Sequence, residues 1–266
     1  MPGAISITGL SADDPVPGSY LQIDFAQGEA AGSGSPIEVL LMGNLLSTGT
    51  ATVDTIVYGP DTIVQLQTDQ DAIDLFGTGS ELHRMFRRFV KVNKTTTLRA
   101  IAVTESAGAQ ATGTFRFVGS ATSAGTARLY VHDEVIEVAI AKDALAATIG
   151  TDTATAINNQ AHWGVTAAST ATGGWAYVTL TARQKGTRGN DIRYMPGITP
   201  GIGMTIPTAI DLPLAGGTTA DSSTTALSTV NNSKYYYIVS AAEDATQFDA
   251  LSDQVITNAG PTVGIR

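Results

Sequence analysis

The sequence predicts an α+β protein: a partial α/β core interrupted by a β-rich module. Three observations predict this. The composition (37 Thr, 37 Ala and 28 Gly in 266 residues, 15% charged) suits short strands joined by tight turns. An apolar run at 37–44 and an amphipathic helix at 80–93 carry α/β texture, which returns after Gly216-Gly217. Between these stretches, alternating strands and turn signals dominate. Four segments follow: 1–35 an arm and linker, 36–105 the first part of the core, 106–216 the β-rich insertion, and 217–266 the second, shortened part of the core.

Residues 1–19, rich in Gly, Pro, Ser and Asp, form an extended arm. Tyr20–Phe25 alternates, with Leu21, Ile23 and Phe25 on one face, as in a half-buried strand. The linker 26–35 lets that strand add to a sheet, its own or a neighbour's. IEVLLMGN (37–44) reads as a strand buried on both faces. Thr62–Leu66 reads as a short strand and Asp69–Phe76 as a short helix stopped by Gly77. Over 80–93, Leu82, Met85, Phe86, Phe89 and Val90 form one apolar stripe behind an N-cap at Ser80. Thr96–Val103 returns as a strand, which implies a crossover.

Residues 106–113 read as a linker and 114–118 as a strand. Hairpins are expected at 128–140 and at 165–182, the second around Thr172-Gly173-Gly174. Lys142–Gln160 reads as one helix weakened at Gly150, and Pro196–Pro213 as edge strands. Ala220–Val230 reads as a helix and Tyr235–Ser240 as a strand. A last helix follows, capped by Asp244 and Gln247, with a stripe of Phe248, Leu251, Val255 and Ile256.

Charge is uneven. Residues 1–83 hold eleven acids and no Lys or Arg, whereas 84–99 hold Arg84, Arg87, Arg88, Lys91, Lys94 and Arg99 with no acid. Such an asymmetry can register neighbouring copies, or simply lie side by side within one subunit. A net charge of −9 argues against nucleic acid as partner. No apolar stretch is long enough for a membrane-spanning helix, and there is no Cys. The N-terminus has no secretory-signal pattern. None of His83, His132 and His162 sits in a catalytic motif. Walker A, G-x-S-x-G, H-E-x-x-H and post-strand G-x-G-x-x-G patterns are missing. Gly77-Thr78-Gly79 as an anion loop, His132-Asp133-Glu134 as a metal site and Trp163 or Trp175 as a sugar platform are each weaker than their structural readings. No enzyme activity, cofactor or metal is expected.

Four stretches together resemble the contractile-tail sheath proteins of Mu-like bacteriophages. These are PVPGSYLQIDFAQGEA (15–30), IEVLLMGN (37–44), TDQDAIDLFGTGSELHRMFRRFVKVN (68–93), and TATAINNQ (153–160) with WAYVTLTARQKGTRGNDIRY (175–194). The resemblance implies a core of subtilisin-like topology without protease activity, and a β-sandwich insertion. It implies a sheath of stacked hexameric rings around the tail tube, triggered at the baseplate to contract and drive the tube through the host envelope. Assembly in the host cytoplasm and residence in the virion tail follow. Members usually run longer, so the chain reads as lacking a C-terminal part. Under this reading Leu21, Ile23 and Phe25 form the buried face of an intersubunit strand, and Arg84, Arg87, Arg88 and Lys91 contact another subunit or the tube. Another tail or baseplate protein, a carbohydrate-binding adhesin and an α/β hydrolase are the rival readings.

Overall fold

The computed structural model describes residues 38–51, 53, 66, 68–132, 134–207, 211–230, 237–240 and 245–259. The chain divides into two units, Met1–Ile37 and Glu38–Arg266. The described residues all lie in the second. The arm strand with Leu21, Ile23 and Phe25, the linker 26–35, Thr62–Gln65 and Asp244 lie outside them.

Three strands form a parallel sheet in the order β10-β1-β2: β1 (Glu38–Asn44), β2 (Thr97–Val103) and β10 (Tyr237–Ser240). Its two faces explain why β1 is apolar throughout. Val39 and Leu41 pack against α1 (Asp69–Phe76) and α2 (Glu81–Val92), in one cluster with Phe76, Leu82 and Phe86. Leu40 and Met42 pack on the other face with Ala226, Leu227 and Val230 of α4 (Thr224–Val230). Covering both faces is what a parallel sheet requires.

Local chemistry sets the helix boundaries. Thr68 and Asp71 form a reciprocal capping box on α1. Ser80 caps α2 by accepting from the His83 amide at 3.0 Å. Leu82 and Phe86 are buried as their spacing predicts, while Met85, Phe89 and Val90 are half-buried.

The remaining strands are antiparallel. One sheet runs β3-β7-β6, from β3 (Gln110–Val118), β7 (Trp175–Lys185) and β6 (Val165–Thr172). The other runs β5-β4-β8-β9, from β5 (Glu134–Ile140), β4 (Gly125–Val131), β8 (Arg193–Ile198) and β9 (Leu212–Pro213). Both contribute to one core, which includes Phe115, Phe117, Leu129, Ile140, Val178 and Leu180. Helix α3 (Ala146–Asn159) adds Ile149 and Ile157 to it. Gly173 and Gly174, with φ of 58° and 80°, make the two-residue turn between β6 and β7.

Four expectations are corrected. Residues 110–113 are strand rather than linker. Their small residues mark close packing: a Cβ on Gly113 would meet the Tyr194 ring at 2.5 Å. Helix α3 starts at Ala146 rather than Lys142, and Gly150 is no weak point. It is buried where a Cβ would lie 2.7 Å from Ala176 Cβ, so glycine sets the helix-to-sheet distance. Helix α4 starts at Thr224 rather than Ala220, because Asp221 is drawn into a buried ion pair described below. In α5 (Ala245–Ala259) the expected stripe is not buried: Phe248 is 57%, Val255 50% and Ile256 66% exposed, and only Ala250 and Leu251 reach the α4 cluster. Gln247 Nε2 donates to the Asp221 carbonyl at 2.7 Å, and its expected capping partner Asp244 lies outside the described residues. Pro196 lies within β8, beyond the part of that strand that pairs with β9.

Candidate functional site

The most structured polar cluster joins the parallel sheet to the antiparallel part. Arg188, in the short 3-10 turn Thr187–Asp191, is 8% exposed. Its Nη1 donates to Glu81 Oε2 of α2 at 2.6 Å, and its Nε donates to Asp221. Asp221 also accepts from Asn44 Nδ2 at 2.8 Å and from the Ser106 amide at 2.7 Å. Glu81 accepts from the Asn44 amide at 3.0 Å. Burial works against the Arg188 charge, but Glu81 and Asp221 outweigh it and hold the guanidinium more basic than usual. Every charge here has partners, so the cluster is a fastening. Sequence reading did not single out Arg188 or Asp221, since nothing in T-R-G-N-D or T-A-D-S-S states that they converge.

All three histidines line the seam between α2 and the antiparallel part. His83 is 1% exposed; its Nδ1 accepts from the Gly79 amide at 3.0 Å, and its Nε2 faces Asp69 Oδ1 at 3.2 Å. Burial pushes its pKa below the usual value, with Asp69 opposing. His132 meets Arg84 Nη1 at 3.3 Å. His162 meets Glu134 Oε2 at 2.7 Å, and Trp163 Nε1 donates to the same oxygen at 2.5 Å. Burial alone would raise the Glu134 pKa, but these bonds hold it below its usual range.

These contacts decide the weaker sequence candidates. The Gly79 amide is taken by His83, and a Cβ on Gly79 would meet the Ala161 carbonyl at 2.1 Å, so the Gly-Thr-Gly turn serves packing. His132 and Glu134 turn to different protein partners, and Asp133 lies outside the described residues. Trp163 is core, at 4% exposed. Trp175 is 41% exposed, and the Arg116 guanidinium stacks on it 4.5 Å from the ring centroid.

A groove of about 1070 Å³ opens along α2. Leu41, Met85, Phe89, Val131, Trp163 and Val239 supply apolar lining. Arg84, Arg87, Arg88 and Lys91 all line it, so the four cations singled out by sequence converge on one surface. Arg84 is the most enclosed of them. Its Nε is buried without a hydrogen-bond partner, and burial lowers its pKa, opposed by Glu81 and reinforced by Arg88. Arg87 lies 3.7 Å from Asp69 in an exposed pair. This arrangement can bind an anionic, partly apolar chain. It holds no nucleophile–base pair among the described residues.

No family profile matches the chain. A sequence relative does: the Mu-like prophage FluMu tail sheath protein of Haemophilus influenzae, 31% identical over 193 residues. The match covers 71% of this chain, and the chain spans 37% of that relative's length. Among solved structures, domains D1–D3 of the flagellar cap protein FliD from Escherichia coli align over 59% of this chain and 58% of that one, at 15% identity and a TM-score of 0.24. Domains D2–D3 of the Serratia marcescens protein align over 46% and 82%, at 15% and 0.20. Scores this low do not define a fold. The sequence match assigns the chain to the structural proteins of phage tails. Over the matched residues it belongs to the Mu-like tail sheath family.

Proposed function

We propose that this chain is part of a contractile tail sheath subunit, which polymerises as stacked hexameric rings around the tail tube and contracts to drive the tube through the host envelope. The observation that carries the reading is the 31% identity to a tail sheath protein over 193 residues. The α2 cations gathered on one open groove support it, because an assembly subunit needs charged, self-complementary surfaces. In this reading the chain is not an enzyme and binds no cofactor. Its partners are further copies, the tube and the baseplate. It assembles in the host cytoplasm and resides in the virion tail.

The same reading divides the chain into an arm (1–35), an α/β core of subtilisin-like topology (36–105 and 217–266) and an inserted β-sandwich (106–216). Leu21, Ile23 and Phe25 form the buried face of a strand given to a neighbouring sheet, and Arg84, Arg87, Arg88 and Lys91 meet another subunit or the tube. Contraction would draw on better interfaces in the final state, with no nucleotide consumed.

Light scattering and negative-stain microscopy of the protein test the proposal. Rings or tubes that vanish on deletion of residues 1–30, with the circular dichroism of the remaining chain unchanged, are the expected result. Full-length subunits whose tubes survive the deletion would remove the role of the arm, and a full-length subunit that stays monomeric at every concentration would remove the sheath reading.

A further inference from the structure

We propose that the outer face of the β3-β7-β6 sheet carries a binding site for an acidic polysaccharide, centred on Arg116, Trp175 and Tyr177. The inference goes beyond the sheath reading and does not depend on it. The two tryptophans of the sequence differ in their surroundings: Trp163 is core, whereas Trp175 keeps 41% of its surface open. Strand alternation puts Trp175 outside. Phe115, Phe117, Ala176, Val178 and Leu180 are buried, so Arg116, Trp175 and Tyr177 stand on the opposite face. In the antiparallel register Arg116 lies opposite Tyr177, and Val118 opposite Trp175. The exposed Thr170 and Thr172 of β6 complete the same two rows.

Arg116 gives this patch its chemistry. Its Cζ stands over the Trp175 ring, 4.5 Å from the centroid, and 5.9 Å from that of Tyr177. Its Nη1 donates to the Tyr177 hydroxyl at 3.3 Å. Two rings and a phenol hold the guanidinium in place without neutralising it. It forms no ion pair among the described residues. Strands β3, β6 and β7 contain no Asp or Glu, in a chain of net charge −9. An anionic ligand therefore meets no repelling side chain on this sheet. A carboxylate fits the N–H groups that Arg116 does not give to Tyr177.

Two features favour a sugar over a peptide as the bearer of that carboxylate. The patch sits on β7, the central strand, whereas extended peptides add at sheet edges or lie in grooves. The rest of the face is hydroxyl: Thr114 and Thr179 lie opposite each other, as do Thr112 and Thr181. Hydroxyl side chains both donate and accept, as sugar hydroxyls do. The open indole supplies an apolar surface for the C–H face of a pyranose ring. Laid on the patch, a uronic acid residue packs on Trp175, gives its carboxylate to Arg116 and turns ring hydroxyls to Thr170 and Thr172.

Titration of the full chain with tetragalacturonate tests the site, with maltotetraose as the neutral sugar and poly-glutamate as the acidic peptide. Acrylamide quenching of tryptophan fluorescence reads the contact in the unmodified protein, because buried Trp163 is shielded with or without ligand. The expected result is saturable protection of Trp175 by tetragalacturonate, weaker at high salt and slight with maltotetraose. By calorimetry, Arg116→Gln weakens tetragalacturonate binding roughly tenfold or more. Arg116→Lys, which keeps the charge and loses the planar fork, recovers only part of the affinity. Lys142→Gln, which removes an exposed charge outside the sheet, leaves it unchanged. Circular dichroism of each variant checks that the fold is kept. Maltotetraose binding as well as tetragalacturonate, indifference to Arg116→Gln, or no protection by tetragalacturonate at millimolar concentration would each overturn the proposal. Poly-glutamate that protects Trp175 at a lower carboxylate concentration than tetragalacturonate would also overturn it, and would mark the face as a surface for an acidic protein.

Discussion

The antiparallel part and the parallel part of this protein are built on opposite economies of chain. Strands β3 to β9 come from one continuous stretch, 110–213, are mostly joined by short turns and share one core. The parallel sheet takes β1 and β2 from one end of the stretch and β10 from the other, and its core is split between two faces. Its β10 edge leaves Tyr237 63% and Val239 43% exposed, and α5 leaves Phe248 and Ile256 uncovered. A chain-continuous core closes on itself, while a sheet gathered from distant segments depends on whatever holds those segments together.

The sharpest way to break this comparison is to separate the parts. Residues 106–216 expressed alone are expected to unfold cooperatively in urea, while 36–105 joined directly to 217–266 is expected to show no cooperative transition. Reversed behaviour would invert the comparison. The next effect is Arg188→Ala, which takes the guanidinium from the buried Asp221 and the half-buried Glu81. The expected loss is about 3–5 kcal/mol, and hydrogen exchange should place it in β1 and α2 rather than in β7. A smaller loss, about 1–3 kcal/mol, is expected for Gly150→Ala, whose new methyl would meet Ala176 and Ser169 at 2.7 Å; here exchange should rise in α3 and β6 instead.

The smallest effect is with pH. His83 is held neutral by burial, so the unfolded chain binds more protons as pH falls below the usual histidine range. Glu134 sits below its usual range, so its contribution is lost as pH falls through ordinary carboxylate values. Both act in one direction: urea midpoints should drop in two steps on acidification, and His83→Gln should remove the upper step.

How much was legible in the sequence follows the same division. Period and turn chemistry located β1, α2, the Gly173-Gly174 hairpin and most strands, because each is encoded within about ten residues. The Ser80 cap and the Leu82–Phe86 stripe were readable for that reason. Where small residues serve close packing, composition misled: Gly113 and Gly150 read as looseness and are points of close approach. The stripe of α5 failed because periodicity states that a face is apolar, not that something covers it. At the candidate site, the four cations were visible as a run, yet the groove also needs Leu41, Val131 and Val239 from three distant strands. The Arg188 fastening was invisible, since its partners lie 33 and 107 positions away.

The parallel register has a consequence for how the protein is made. Leu40 of β1 pairs with Ile238, 198 residues later. At a ribosomal rate of about 5–20 residues per second, β1 waits roughly 10–40 s for its neighbour on that side. In that interval all of β3 to β9 is synthesised, so the antiparallel part can finish folding while the sheet that carries it still has an unfilled position.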